Sequence, residues 1–81
     1  MSSEDAKAGR EIVDRADQAL REGAKVFLQT RSRGETFAAT RVTAGPSTVR
    51  IVTESGTSYD LAYSAIEAAR YVWGENRRVG A

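Results

Sequence analysis

The chain has no cysteine and no histidine, and a single proline, among its 81 residues. Without cysteine there is no disulfide and no thiolate metal site to reinforce a small fold. Without histidine the commonest general base and metal ligand is missing. No apolar run approaches the ~20 residues of a membrane span. The start, Met1-Ser2-Ser3-Glu4-Asp5, is acidic and lacks the basic and apolar regions of a signal peptide, so a soluble cytoplasmic protein is expected. A chain of this length makes one domain and buries only about 60–65% of its unfolded surface, which leaves self-association as a source of further burial.

Net charge is +1, too small to imply a nucleic-acid partner by itself. Its distribution is uneven: residues 1–23 carry −2, residues 24–63 carry +2 and residues 64–81 carry +1.

The N-terminal third has the pattern of a helix. Ser3 is a candidate N-cap, with Glu4 and Asp5 suited to the positive end of the helix dipole. Ile12, Val13, Ala16, Ala19 and Leu20 form one apolar stripe at helical period. Arg10–Asp14, Glu11–Arg15 and Asp17–Arg21 are opposite charges at i, i+4. Gly23 is placed to end the helix.

Lys25 to Tyr63 then holds four short β-patterned runs, divided at Arg33-Gly34, Gly45-Pro46-Ser47 and Ser55-Gly56. In the first, Val26, Leu28 and Thr30 alternate with Lys25, Phe27, Gln29 and Arg31. In the second, Phe37, Ala39 and Arg41 alternate with Thr36, Ala38, Thr40 and Val42. Thr48 to Thr53 is rich in β-branched residues, and Ser58 to Tyr63 places Tyr59, Leu61 and Tyr63 on one face. Pro46 cannot donate a ladder hydrogen bond and belongs to the loop between the second and third runs. Connections this short imply antiparallel neighbours.

Ser64 to Trp73 supports two patterns. Ser64-Ala65-Ile66-Glu67 fits a capping box, and Ile66, Ala69, Val72 and Trp73 would line one helical face. Yet Ile66, Ala68, Arg70 and Val72 alternate, and a closed barrel needs a fifth strand. A short helical turn at Ser64–Ile66 feeding a strand satisfies both. The expected organisation is a flexible lead over 1–8, a helix-plus-barrel domain over 9–73, and a flexible basic tail over 74–81. The expected fold is mainly β with an N-terminal α-helix: a small, strongly bent, five-stranded antiparallel barrel of the SH3-like or Sm-like kind.

Gln18-Ala19-Leu20-Arg21-Glu22-Gly23, Val26-Phe27-Leu28, the turn at Gly34, Val49-Arg50-Ile51-Val52 and Leu61-Ala62-Tyr63 before Ala65-Ile66 resemble the Sm-like proteins, particularly their bacterial Hfq branch. The resemblance covers about residues 10–72. It implies an N-terminal helix on a bent five-stranded sheet, with strand four of one subunit pairing with strand five of the next in a hexameric or heptameric RNA-binding ring. Where the Hfq branch has Lys-His after the tyrosine, this chain has Ser64-Ala65. The base-stacking aromatic before strand three has no counterpart in Gly45-Pro46-Ser47-Thr48. Of the binding residues the resemblance carries over only Tyr63.

Arg31, Arg33, Arg41 and Arg50 lie on or beside the strands with Phe27, Phe37 and Tyr59 interleaved. Single-stranded nucleic acid needs that combination of charge for phosphates and rings for bases; the same residues also suit a core of aromatics under solvated arginines. Arg77-Arg78 offers phosphate contacts from the tail. Carboxylates fall on an exposed helix or near turns, with no spacing that suggests a catalytic pair, so no enzyme, cofactor or metal is expected. The expectation is therefore a non-catalytic homo-oligomer binding RNA or a nucleotide-sized ligand through Arg31, Arg33, Arg41, Arg50 and Tyr63. Tyr59, Leu61, Ile66, Tyr71 and Trp73 are candidates for the subunit interface. The alternative is an adaptor or regulator that docks a protein partner at a strand edge.

Overall fold

The computed structural model describes residues 3–31, 34 and 36–74. Arg33 and the tail from residue 75, with Arg77 and Arg78, lie outside the described residues. Helix α1 (Ser3–Arg21) is followed by β1 (Lys25–Thr30), β2 (Thr36–Ala44), β3 (Thr48–Thr53) and β4 (Ser58–Ala62). A turn of 3₁₀ helix, Tyr63–Ala65, leads into β5 (Ile66–Val72). The helix begins at Ser3, inside the stretch expected to be a flexible lead, and the contested segment resolves into a short helical turn feeding a strand. No helix among the described residues is long and apolar enough to cross a membrane.

The C-terminus of α1 closes as a Schellman motif. Gly23, at φ +95°, donates to Leu20 O, and Ala24 donates to Ala19 O across six residues. Of the three charge pairs that spacing suggests along the helix, Asp17–Arg21 forms at 3.1 Å. Arg10 instead lays its guanidinium over the Tyr63 ring, 5.0 Å from the centroid.

The five strands form one antiparallel sheet in the order β4-β3-β2-β1-β5. The chain passes from one edge strand to the other through the 3₁₀ turn alone. In a flat sheet those edges would lie about 19 Å apart, at about 4.8 Å per strand. The few Cα steps from Ala62 to Ile66 reach at most about 14 Å. The sheet must therefore curl. It does not close: β4 and β5 do not pair, so the closed barrel expected from the sequence is corrected to an open, curled sheet.

Two bulges help it bend and also switch faces. On β2, Ala39 pairs with Thr53 and Arg41 with Val52, leaving Thr40 as the extra residue. Ala39 and Val42 are both buried while Arg41 is exposed. Strict alternation had placed Arg41 with Ala39; the bulge reverses this. On β5, Gln29 pairs with Ala68 and Thr30 with Ile66, leaving Glu67 extra. Ile66 thereby shares the inner face with Ala69 and Tyr71, which oppose Leu28 and Val26. The helical spacing of Ile66 and Ala69 is thus the signature of a bulged strand.

The core lies on the inner face, beneath α1. Val13, Ala16 and Ala19 of the helix meet Val26, Leu28, Ala39, Val42, Val49, Ile51, Tyr63 and Ile66. Several of these are alanines, so elements approach closely and the apolar volume is small. Among the described glycines the tightest approach is at Gly9, where a Cβ would run into the carbonyl oxygen of Tyr63.

Candidate ligand-binding surface

Because Thr40 is inserted, Arg41 points outward beside β3. On β3 simple alternation sends Val49 and Ile51 inward and Arg50 outward. Arg50 lies opposite Thr43 of β2 on one side and Asp60 of β4 on the other. Arg41 and Arg50 are therefore diagonal neighbours on the outer face, within mutual reach for long side chains.

The Arg50 guanidinium grips Asp60 with two bonds, Nε to Oδ1 at 3.0 Å and Nη2 to Oδ2 at 3.3 Å. These hydrogen bonds hold the Asp60 carboxyl below the ordinary carboxylate range and raise the Arg50 pKa, with the opposite charges adding to both. The two side chains are 62% and 57% exposed, so the pair fixes an orientation more than it stabilises the fold. The Arg41 side chain has no hydrogen bond or ion pair among the described residues. Arg41, Thr43, Gly45, Thr48, Arg50, Val52 and Asp60 line an open groove of about 430 Å³.

The remaining sequence-derived candidates lie elsewhere. Arg31 is fixed at the end of β1, its backbone NH donating to Ala65 O at 2.8 Å and its Nε to Ser64 O at 3.1 Å. Tyr63 is 4% exposed, and its hydroxyl donates to Gly45 O at 2.6 Å. With its backbone against Gly9 and its ring under Arg10, it ties α1 to the β2–β3 corner. A second hollow of about 350 Å³ opens beside it, lined by Ala6, Lys7, Arg10, Pro46, Ser47 and Tyr63.

No aromatic lines the larger groove. Phe37 and Tyr59 pack against each other, ring centroids 4.6 Å apart, bridging β2 to β4 over the intervening strand. Phe27 receives Arg70, whose guanidinium sits 4.4 Å from the ring centroid. The basic and aromatic residues interleaved in sequence are therefore largely separated in space. Sequence reasoning missed Arg10, Arg70 and Asp60. Only the last had a signal, as an acidic residue opposite Arg50 once the β3–β4 turn is centred on Gly56.

Of the candidate interface residues, Ile66 is fully buried in the protomer's own core, which removes its side chain from any surface a second chain touches. Leu61 and Tyr71 are half-buried, and Tyr59 and Trp73 are about two-fifths exposed. Val72, which was not among the interface candidates, is exposed to the same degree. Comparison with protein-family models, curated proteins and solved structures finds no match.

Proposed function

We propose that this chain is a non-catalytic, self-associating binding protein of the Sm-like type, taking RNA or a nucleotide-sized ligand on its outer sheet face. The observation that carries the assembly half is that the curled sheet ends in two unlike free edges, β4 and β5. Free edges present unpaired NH and carbonyl groups, and soluble proteins normally cover or charge them. Here Tyr59 lies on β4, Val72 on β5 and Trp73 just beyond, all exposed. Pairing β4 of one copy with β5 of the next would be a head-to-tail contact, which closes into a ring when the rotation permits. The helix-first arrangement and the curl are in keeping with the Sm-like resemblance.

The ligand half rests on Arg41 and Arg50 sharing one groove. Light scattering coupled to size exclusion tests the assembly. A hexamer- or heptamer-sized particle is expected, and Val72→Lys, which places a charge on the β5 edge, is expected to shrink it without loss of folding. A strict monomer at all concentrations would overturn the edge pairing. It would leave the free edges to a strand from a different protein, the adaptor reading.

A further inference from the structure

The groove between Arg41 and Arg50 allows the ligand class to be narrowed, an inference that rests on the binding-protein reading above. Its lining offers two guanidiniums against one carboxylate, and two hydroxyls, from Thr43 and Thr48. The Asp60 grip uses only two of the five N–H donors of Arg50. Its remaining donors sit on a guanidinium whose plane is already set, so less side-chain freedom is lost when an anion arrives. Arg41, without a partner among the described residues, supplies a second full fork next to it. Paired arginine forks match phosphate oxygens in geometry and charge.

The groove is equally defined by what its walls omit. Val52 is its only large apolar side chain, and no ring is present on which a base could stack. Base reading on a single strand depends on such rings or on directed contacts to base edges. At about 430 Å³ the groove exceeds the needs of one carboxylate and suits linked phosphates.

We propose that the outer groove between Arg41 and Arg50 is a base-blind phosphate clamp that holds consecutive phosphate groups, with Asp60 as the positioning residue for Arg50. The phosphates have two possible sources, a nucleic-acid backbone or a free polyphosphorylated compound, and the chemistry is the same for both. The clamp should be indifferent to base identity, and its affinity should fall steeply with salt.

The test uses the full chain, with inorganic tripolyphosphate and ten-nucleotide oligo-A and oligo-U as probes. Arginine Nε resonances of Arg41 and Arg50 are expected to shift on tripolyphosphate addition, and Arg41→Gln is expected to weaken binding about tenfold. The Arg41 side chain makes no hydrogen bond or ion pair with the described residues, so its replacement should leave the fold intact. Arg15→Gln, the same charge change on the exposed face of α1, should bind as wild type. Oligo-A and oligo-U displacing tripolyphosphate equally would support the clamp with a nucleic-acid backbone as its source. Tripolyphosphate binding without oligonucleotide binding would support it with a free phosphate compound. An Arg41→Gln protein that binds like wild type overturns the clamp. So do a clear preference between the two oligonucleotides and oligonucleotide binding that does not displace tripolyphosphate; those two results leave the wider binding-protein reading standing.

Discussion

Gly9 in the middle of α1 lies directly against the backbone carbonyl of Tyr63, with no space for a side chain between them. Helix propensity alone favours alanine over glycine at such a position by about 1 kcal/mol. The packing reverses that sign. Gly9→Ala is expected to destabilise the protein by about 1–3 kcal/mol, the usual cost of overpacking, as read from urea denaturation. A gain in stability would show that α1 can move off the 3₁₀ turn at no cost.

The Tyr63 hydroxyl, held by Gly45 O at 2.6 Å, gives a separate prediction. Tyr63→Phe keeps the buried ring and removes one bond, leaving the Gly45 carbonyl short of a partner. A loss of about 1 kcal/mol is expected, with phosphate affinity unchanged. Weaker ligand binding without loss of stability would return Tyr63 to the binding surface.

The bulge at Thr40 takes up the extra residue before Arg41. Deleting Thr40 removes the bulge and leaves the pairs Ala39 with Thr53, Arg41 with Val52 and Val42 with Ile51 in unbroken register, so Arg41 stays on the outer face between two buried neighbours. The deletion is expected to keep cooperative thermal unfolding and tripolyphosphate binding. Loss of either would show that the curl of the sheet depends on the bulge. Thr40→Ala, which loses only the hydroxyl bond to Val52 O, should cost less than about 1 kcal/mol.

The Arg50–Asp60 pair is open to titration. The folded-state pKa of Asp60 is lowered, chiefly by the hydrogen bonds from Arg50. Whatever the pair contributes is therefore present above the ordinary carboxylate pKa and is lost as pH falls through the lower folded value. Arg50 is raised and stays charged throughout that window. The Asp60 carboxyl carbon should titrate by NMR below the usual carboxylate range, and Arg50→Gln should bring it back. An unchanged midpoint in that variant would remove Arg50 as the cause.

Much of this fold was legible in the sequence because its elements are local. The Gly23 stop, the β-branched third strand and the glycine-bearing turns each announce themselves within a few residues. The departures arise where the chain changes phase or touches something distant. Thr40 and Glu67 carry no mark of a bulge, and each reverses the face of every residue after it on its strand. Arg41 was named as a ligand residue, yet alternation put it on the wrong face. The helical spacing of Ile66 and Ala69 came from the bulge at Glu67. Gly9 showed only as a glycine inside a helical pattern, with nothing to say that the Tyr63 backbone fills the space. The groove joins residues from three strands, and its register depends on those same bulges.

The strand order also bears on how the chain reaches its fold. β1 has β2 on one side, a neighbour in sequence, but its other side is completed only by β5, through pairs such as Thr30 with Ile66. During synthesis the first strand stands half-paired until nearly the whole sheet has left the ribosome. Long-range closures of this kind slow folding and expose a sticky intermediate. Any nascent chain stalled before Ile66 would present that bare side of β1 to its neighbours, so the step at which this protein is most prone to aggregate is the arrival of its last strand.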